Sequence, residues 1–165
     1  MKPTHALREH HDHLMQEIQN FEQAIESLPD LAPGEVKPTA QEQVAFLVAE
    51  IKPHAQAEEK FLYTEVDYLT NPAGMKVTAT MKIDHEYISA YIERLADLAS
   101  KVNPKTVPEF QRASWELLAI LKLHFDKEER VYLSLLDNIY TEEEVQHRIV
   151  EKMERYESEN AGVHI

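Results

Sequence analysis

The chain has 165 residues, a length that suits one domain with room for a buried core. It has no cysteine, which excludes disulfides, thiolate metal ligands, iron–sulfur clusters and cysteine nucleophiles and leaves nitrogen and oxygen chemistry. A formal charge of −13, with Lys76, Lys82 and Lys101 scattered singly and no basic stripe, argues against nucleic acid as a partner.

Three glycines and a 43% hydrophobic content favour an all-α fold. No run approaches the roughly 20 apolar residues that span a bilayer. The opening segment MKPTHALREHHDHL lacks the apolar stretch of a secretory signal, so a cytoplasmic setting without membrane association is expected. Leu7, Leu14, Ile18, Phe21, Ile25 and Leu28 carry the spacing of one buried helical face, which predicts a first helix over about Thr4 to Leu28. Pro29, Pro33, Gly34 and Pro38 interrupt it. Thr39 with Glu42 has the form of a capping box, predicting a second helix from about Ala40 to Leu69. Asn71-Pro72 reads as an N-cap with proline at the first helical position. The stripe Met81, Ile83, Ile88, Ile92, Leu95 and Leu98 then carries a third helix to about Ser100. Pro108 opens a fourth, whose Trp115, Leu118, Leu121, Phe125, Tyr132 and Leu136 can face a core and which should stop near Asp137. A second capping box, Thr141 with Glu144, starts a short amphipathic tail helix over about 141–159 through Val145, Ile149, Met153 and Tyr156. No Gly/Ser-rich linker divides these segments, so residues 1–165 read as a single domain: a four-helix bundle over about 4–137 and a fifth helix able to cover it or a partner.

The histidines repeat. His11 is followed by Leu14, Ile18 and Phe21, and His85 by Ile88, Ile92 and Leu95, at the same offsets of three, seven and ten. Residues 49–60, AEIKPHAQAEEK, match residues 119–130, AILKLHFDKEER, at alanine, lysine, histidine and both glutamates. His54 precedes Glu58 by four residues and His124 precedes Glu128 by four, which stacks imidazole and carboxylate on one helix face. Two helix pairs related by such a repeat pack about a pseudo-twofold axis, so His11, His54, Glu58, His85, His124 and Glu128 can converge as metal ligands. Imidazole with carboxylate suits iron, manganese or zinc better than magnesium or calcium. Two octahedral ions held by four imidazoles, two bridging carboxylates and a shared oxo or hydroxo group would keep roughly two positions open for a small ligand.

The helix-one segment Glu9-His10-His11, HAQAEE, DHEYI and HFDKEERVY, in that order, resemble the hemerythrin family and in particular its bacterial HHE branch, over about Thr4 to Asp137. Helix three of the oxygen carriers has a second histidine four residues from the first, but here Met81 and Ser89 occupy those distances from His85. The helix-four carboxylate is a glutamate at four rather than an aspartate at five. The pattern is therefore similar to the four-histidine, two-glutamate branch. The resemblance implies an up-down-up-down bundle with a non-haem di-iron centre that binds or senses oxygen, nitric oxide or peroxide, or reports iron and redox state. A di-iron enzyme reducing such a species or supplying iron for cluster repair is the second reading, and a structural or zinc-bound bundle the third. A signalling role would need a separate protein partner, and the tail helix offers a face for such a partner or for self-association.

Helix one also holds His10 and His13; only His11 keeps the spacing of the buried stripe, with His10 the alternative. His5, His147 and His164 read as solvent-facing. Glu59 and Glu129 lie about 100° around the helix from the ligand face and carry no metal role in this reading. Tyr132, four residues after Glu128, either donates its hydroxyl to that carboxylate or fills core. Pro53 either kinks helix two so that His54 turns inward or is a tolerated irregularity.

Overall fold

The computed structural model describes all residues except 72, 75 and 162–165. The described residues form helices α1 (His5–Ser27), α2 (residues 33–70), α3 (Ala79–Lys101), α4 (residues 107–139) and α5 (residues 142–160). No strand occurs among the described residues, and none of their helices is long and apolar enough to cross a membrane. Each of the first four helices packs on two others in the closed order α1, α2, α3, α4, which is an up-down-up-down bundle. The tail helix α5 packs across the middle of α2 and against α1.

Helix boundaries differ from the sequence expectation at two places. Helix α2 starts at Pro33, seven residues before Ala40, and Pro38 lies inside it. Proline at the first helical position has its φ already set, and the early turns bury Val36 and Ala40 in the core, which outweighs the hydrogen bond Pro38 cannot make. The Thr39–Glu42 capping box is therefore not used. Helix α3 begins later than Asn71-Pro72 suggested, at Ala79, because the buried Asp67 carboxylate accepts from the Thr78 backbone N–H at 3.1 Å and its hydroxyl at 2.8 Å and fixes the turn there. Pro72 itself lies outside the described residues, as does His164. The second capping box forms as expected, with Thr141 accepting from the Glu144 backbone N–H at 3.2 Å and Glu144 accepting from Thr141 N–H at 2.9 Å. The tail helix runs on from it to Asn160.

Ile83 and Trp115 do not reach the core; they are 48% and 47% exposed. Each stands two residues from a buried position, Ile83 from Met81 and His85 and Trp115 from Leu117 and Ala113, which turns it about 160° away at 100° per residue. The rest of the core falls into two apolar blocks. One contains Leu14, Ile51, Ile88, Leu121 and Phe125, and the other Leu7, Ala57, Met81, Tyr132 and Leu136. On α1, α2 and α3 the boundary between the blocks falls at the buried histidine, and on α4 just after it, at Glu128. The bundle thus has a polar layer between two apolar ends.

Candidate metal centre

His11, His54, Glu58, His85, His124 and Glu128 make up that layer, and each is at most 6% exposed. Their ligand atoms form two groups that share Glu58: His11, His54 and Glu58, and His85, His124, Glu58 and Glu128, each group within 4.8 Å. Glu58 faces both ways. Its Oε1 lies 2.8 Å from His54 Nε2 and 3.4 Å from His11 Nε2, while Oε2 lies 3.2 Å from His85 Nε2 and 3.8 Å from His124 Nε2. Glu128 spans the groups from the other side, with Oε1 3.5 Å from His124 and Oε2 3.8 Å from His11.

These contacts are close but poorly directed. His54 Nε2, both Glu58 oxygens and Glu128 Oε2 are buried with no aligned hydrogen-bond partner among the described residues. His85 Nε2 and His124 Nε2 face one another at 3.0 Å. Stranding that many polar atoms in a core costs several kcal/mol. Lone pairs converging from several sides, with N···O separations near 3 Å, are what adjacent ligands of one cation with bonds of about 2.1 Å present. The donor set fits metal of the imidazole-and-carboxylate class.

Electrostatics point the same way. Burial pushes the His54 imidazole down, but the Glu58 and Glu157 carboxylates overcome it and raise it to about 10. Burial likewise opposes His124, which the charges of Glu128 and Glu58 and the bond to Asp84 raise to about 9. His11 is raised against burial by its bonds to Glu129 and Glu58. Glu58, although burial alone would raise it, is held well below the ordinary carboxyl value by His54, His11 and His124. Glu128 goes the other way, pushed up to about 7 by burial and by the charge of Glu58. Protons thus supply the positive charge these carboxylates require, and a cation can take their place.

Each imidazole is held by a carboxylate on its outer nitrogen: His11 Nδ1 by Glu129 at 2.9 Å, His54 by Glu157 at 3.0 Å, His85 by Glu59 at 2.8 Å and His124 by Asp84 at 3.1 Å. This fixes which ring nitrogen faces the centre. Two of these acids are in turn clamped by cations, Glu129 by Arg8 and Asp84 by Lys127. Glu59 and Glu129 therefore act on the centre although they face away from it on their own helices. The signal for them was the repeat, which preserves both glutamates of each pair. His10 stays outside the six, 3.0 Å from Glu157, and His13, His5 and His147 lie at or near the surface.

Tyr132 does not reach Glu128; its hydroxyl donates to the Val77 carbonyl at 3.2 Å. Tyr63 takes that role, donating to Glu128 Oε1 at 2.5 Å and lying 3.3 Å from both His85 Nε2 and His124 Nε2. The cause is a π-turn at each glutamate, Glu58–Leu62 and Glu128–Tyr132. Tyr63 N–H bonds to the Glu58 carbonyl and Leu133 N–H to that of Glu128, so the residue five on from each glutamate turns fully into the core. A third π-turn, Leu47–Ile51, lies just before Pro53 and opens the helix where the proline ring would crowd the Ala49 carbonyl, so α2 continues through to His54.

Phe125 stands edge-on to His11, with ring centroids 4.9 Å apart, and stacks on His54 at 5.9 Å, walling the centre on one side. A surface cavity of about 230 Å³ between α2 and α3, lined by Gln56, Glu59, Ser89 and Ile92 among others, reaches His85.

A closed four-helix bundle with a buried layer of histidine and glutamate donors defines a helical cation-binding protein. The chain matches the family model described as "Hemerythrin HHE cation binding domain" over residues 2–136, and it belongs to that family. Metal binding is the property that membership carries. No curated protein and no solved structure matches the chain.

Proposed function

We propose that this chain holds two iron ions and binds or senses a small oxidant there, oxygen, nitric oxide or peroxide, or reports iron and redox state. His11, His54 and Glu58 would hold one ion, and His85, His124, Glu58 and Glu128 the other, with Glu128 also reaching toward the first. The observation that carries the reading is the orientation of Glu58, whose two oxygens face different histidine pairs. When bound, such a pair supplies redox-active Lewis-acid chemistry with coordination positions left for a small ligand.

The chain's own part is to position and to exclude. Four outer carboxylates hold the imidazoles with Nε2 inward, Phe125 and the two apolar blocks keep bulk water out, and the cavity beside His85 gives a small molecule a route to the layer. Manganese and zinc suit the same donors, so metal identity is what the experiment must read. Protein purified without air and analysed for metal is expected to carry about two irons per chain, and near-ultraviolet and visible bands should develop on exposure to oxygen. Zinc in place of iron, or no metal, would reject the reading in favour of a structural bundle.

One feature favours an enzyme as the second reading. The Tyr63 hydroxyl keeps a proton beside Glu128 and the two imidazoles inside a buried layer, where reduction of an oxidant consumes protons. Catalytic turnover with an electron donor, lost in Tyr63→Phe, distinguishes it from simple binding.

A further inference from the structure

We propose that Glu157 of the tail helix is the positioning carboxylate for His54, so that docking of α5, outside the matched family domain, is part of building the metal centre. This rests on the metal reading above and adds to it a residue from beyond residues 2–136.

The internal repeat identifies what is missing. His11 corresponds to His85 and His54 to His124, so the outer pairs His11–Glu129 and His85–Glu59 are counterparts, glutamate for glutamate. His124 is held by Asp84, the residue just before His85. The corresponding residue just before His11 is His10, which sits beside His54 with ring centroids 4.9 Å apart and supplies no carboxylate. Within the four-helix bundle, His54 would be the one ligand of the four without an acid on Nδ1. Glu157 fills that gap, with Oε1 3.0 Å from His54 Nδ1 and Oε2 3.0 Å from His10 Nε2.

Helix α5 can come this close because of a second break in the repeat. The counterpart of Lys127, which clamps Asp84, is Ala57, a small and fully buried side chain in the part of α2 on which α5 packs. Val145, Ile149 and Met153 bury the inner face of α5. Tyr156 then fastens its end, donating to Gln56 Oε1 at 3.1 Å with Lys60 Nζ 4.0 Å above its ring. Glu157 follows directly. A carboxylate on the outer nitrogen orients a ligand imidazole and strengthens its inner nitrogen as a donor, and losing one typically weakens metal binding about 10–100-fold.

The test is cobalt(II) titration of the full chain, followed by visible absorption and equilibrium competition, with far-ultraviolet circular dichroism to verify helicity. Glu157→Ala is expected to weaken one of the two binding positions by about 10–100-fold and leave the other, that of His85 and His124, as in the wild type. Glu154→Gln, an exposed acid on the same helix, should change neither. Adding His10→Asp to Glu157→Ala installs the counterpart of Asp84 and should restore most of the lost affinity and the wild-type band positions. Two results overturn the proposal: Glu157→Ala binding cobalt as Glu154→Gln does, or a loss shared by both positions that His10→Asp does not rescue. A wild-type chain that takes up no cobalt overturns the metal reading itself and the role of Glu157 with it, an outcome the variants cannot mimic.

Discussion

The Tyr63 hydroxyl ties α2 to α4 by donating to Glu128 Oε1 at 2.5 Å across the centre of the bundle. Burial and the charges of Glu58 and Glu128 push the phenol above its ordinary value, so it remains a donor. Tyr63→Phe keeps the ring and removes only that proton. Without metal the variant should lose about 1.5–3 kcal/mol, the range for a hydrogen bond to a charged group, and melt roughly 3–12 °C lower. With metal bound the loss should shrink, since Glu128 then has a cation as partner. Thermal melts of both forms check this, and equal losses would argue against Glu128 facing the metal.

That bond also marks where sequence reasoning reached its limit. The periodicity of Leu7, Leu14 and Ile18, the repeated histidines and the paired glutamates made the bundle and the six-residue layer legible, because a side chain's face follows from regular helical spacing. Tyr63 was not legible, since the π-turn at Glu58 shifts the register by one residue and hydrophobic spacing does not announce such a turn. Trp115 and Ile83 misled because apolar character alone placed them on a stripe that angle excludes. Glu157 was hidden for another reason: its partner His54 lies 103 positions away, and only the packing of α5 brings them together.

Shared and unshared ligands predict different losses. His54 belongs to one group of donors and His85 to the other, whereas Glu58 belongs to both. His54→Ala and His85→Ala should each reduce metal content to about one ion per chain, while Glu58→Gln should remove nearly all of it. Melting temperatures should fall in the same order because metal binding is linked to folding. Metal analysis after gel filtration reads this directly. Full stoichiometry in Glu58→Gln would refute the bridging arrangement.

Acidity should act unequally on the metal-free and the loaded protein. His54 and His124, raised to about 10 and about 9, contribute stability that is complete below their ordinary value of 6.5 and is lost as the pH rises through those folded values. Glu128, raised to about 7, costs increasing stability as the pH climbs from its ordinary 4.5 to that point. Glu58, held below the ordinary value, contributes a constant amount in this window. The metal-free protein should therefore melt at lower temperature on going from about pH 6 to pH 10. Metal requires neutral imidazoles and binds more tightly over the same interval, so the melting gap between the two forms should widen. Calorimetry at several pH values tests it, and a narrowing gap would count against imidazole ligation.

Arg8 serves two masters at the edge of the layer. It clamps Glu129, which holds His11, and its Nη2 donates to Asp137 Oδ2 at 2.9 Å, where Asp137 Oδ1 also accepts from the Thr4 N–H at 2.9 Å and hydroxyl at 2.7 Å. Against burial, the Thr4 and Arg8 bonds hold Asp137 below its ordinary 3.8, so its stabilisation is present above that value and is lost as the pH falls through the lower folded one. Asp137→Asn should cost about 1–2 kcal/mol at neutral pH and little in strong acid. Arg8→Met should cost a similar amount, and the double variant less than the sum, with a coupling of at least about 0.5 kcal/mol. The two should part company over metal: only Arg8→Met frees Glu129 and so loosens His11, and only it should weaken the position that His11 and His54 share. Equal effects of the two substitutions on metal affinity would mean that Arg8 acts on the centre through the helix end and not through Glu129.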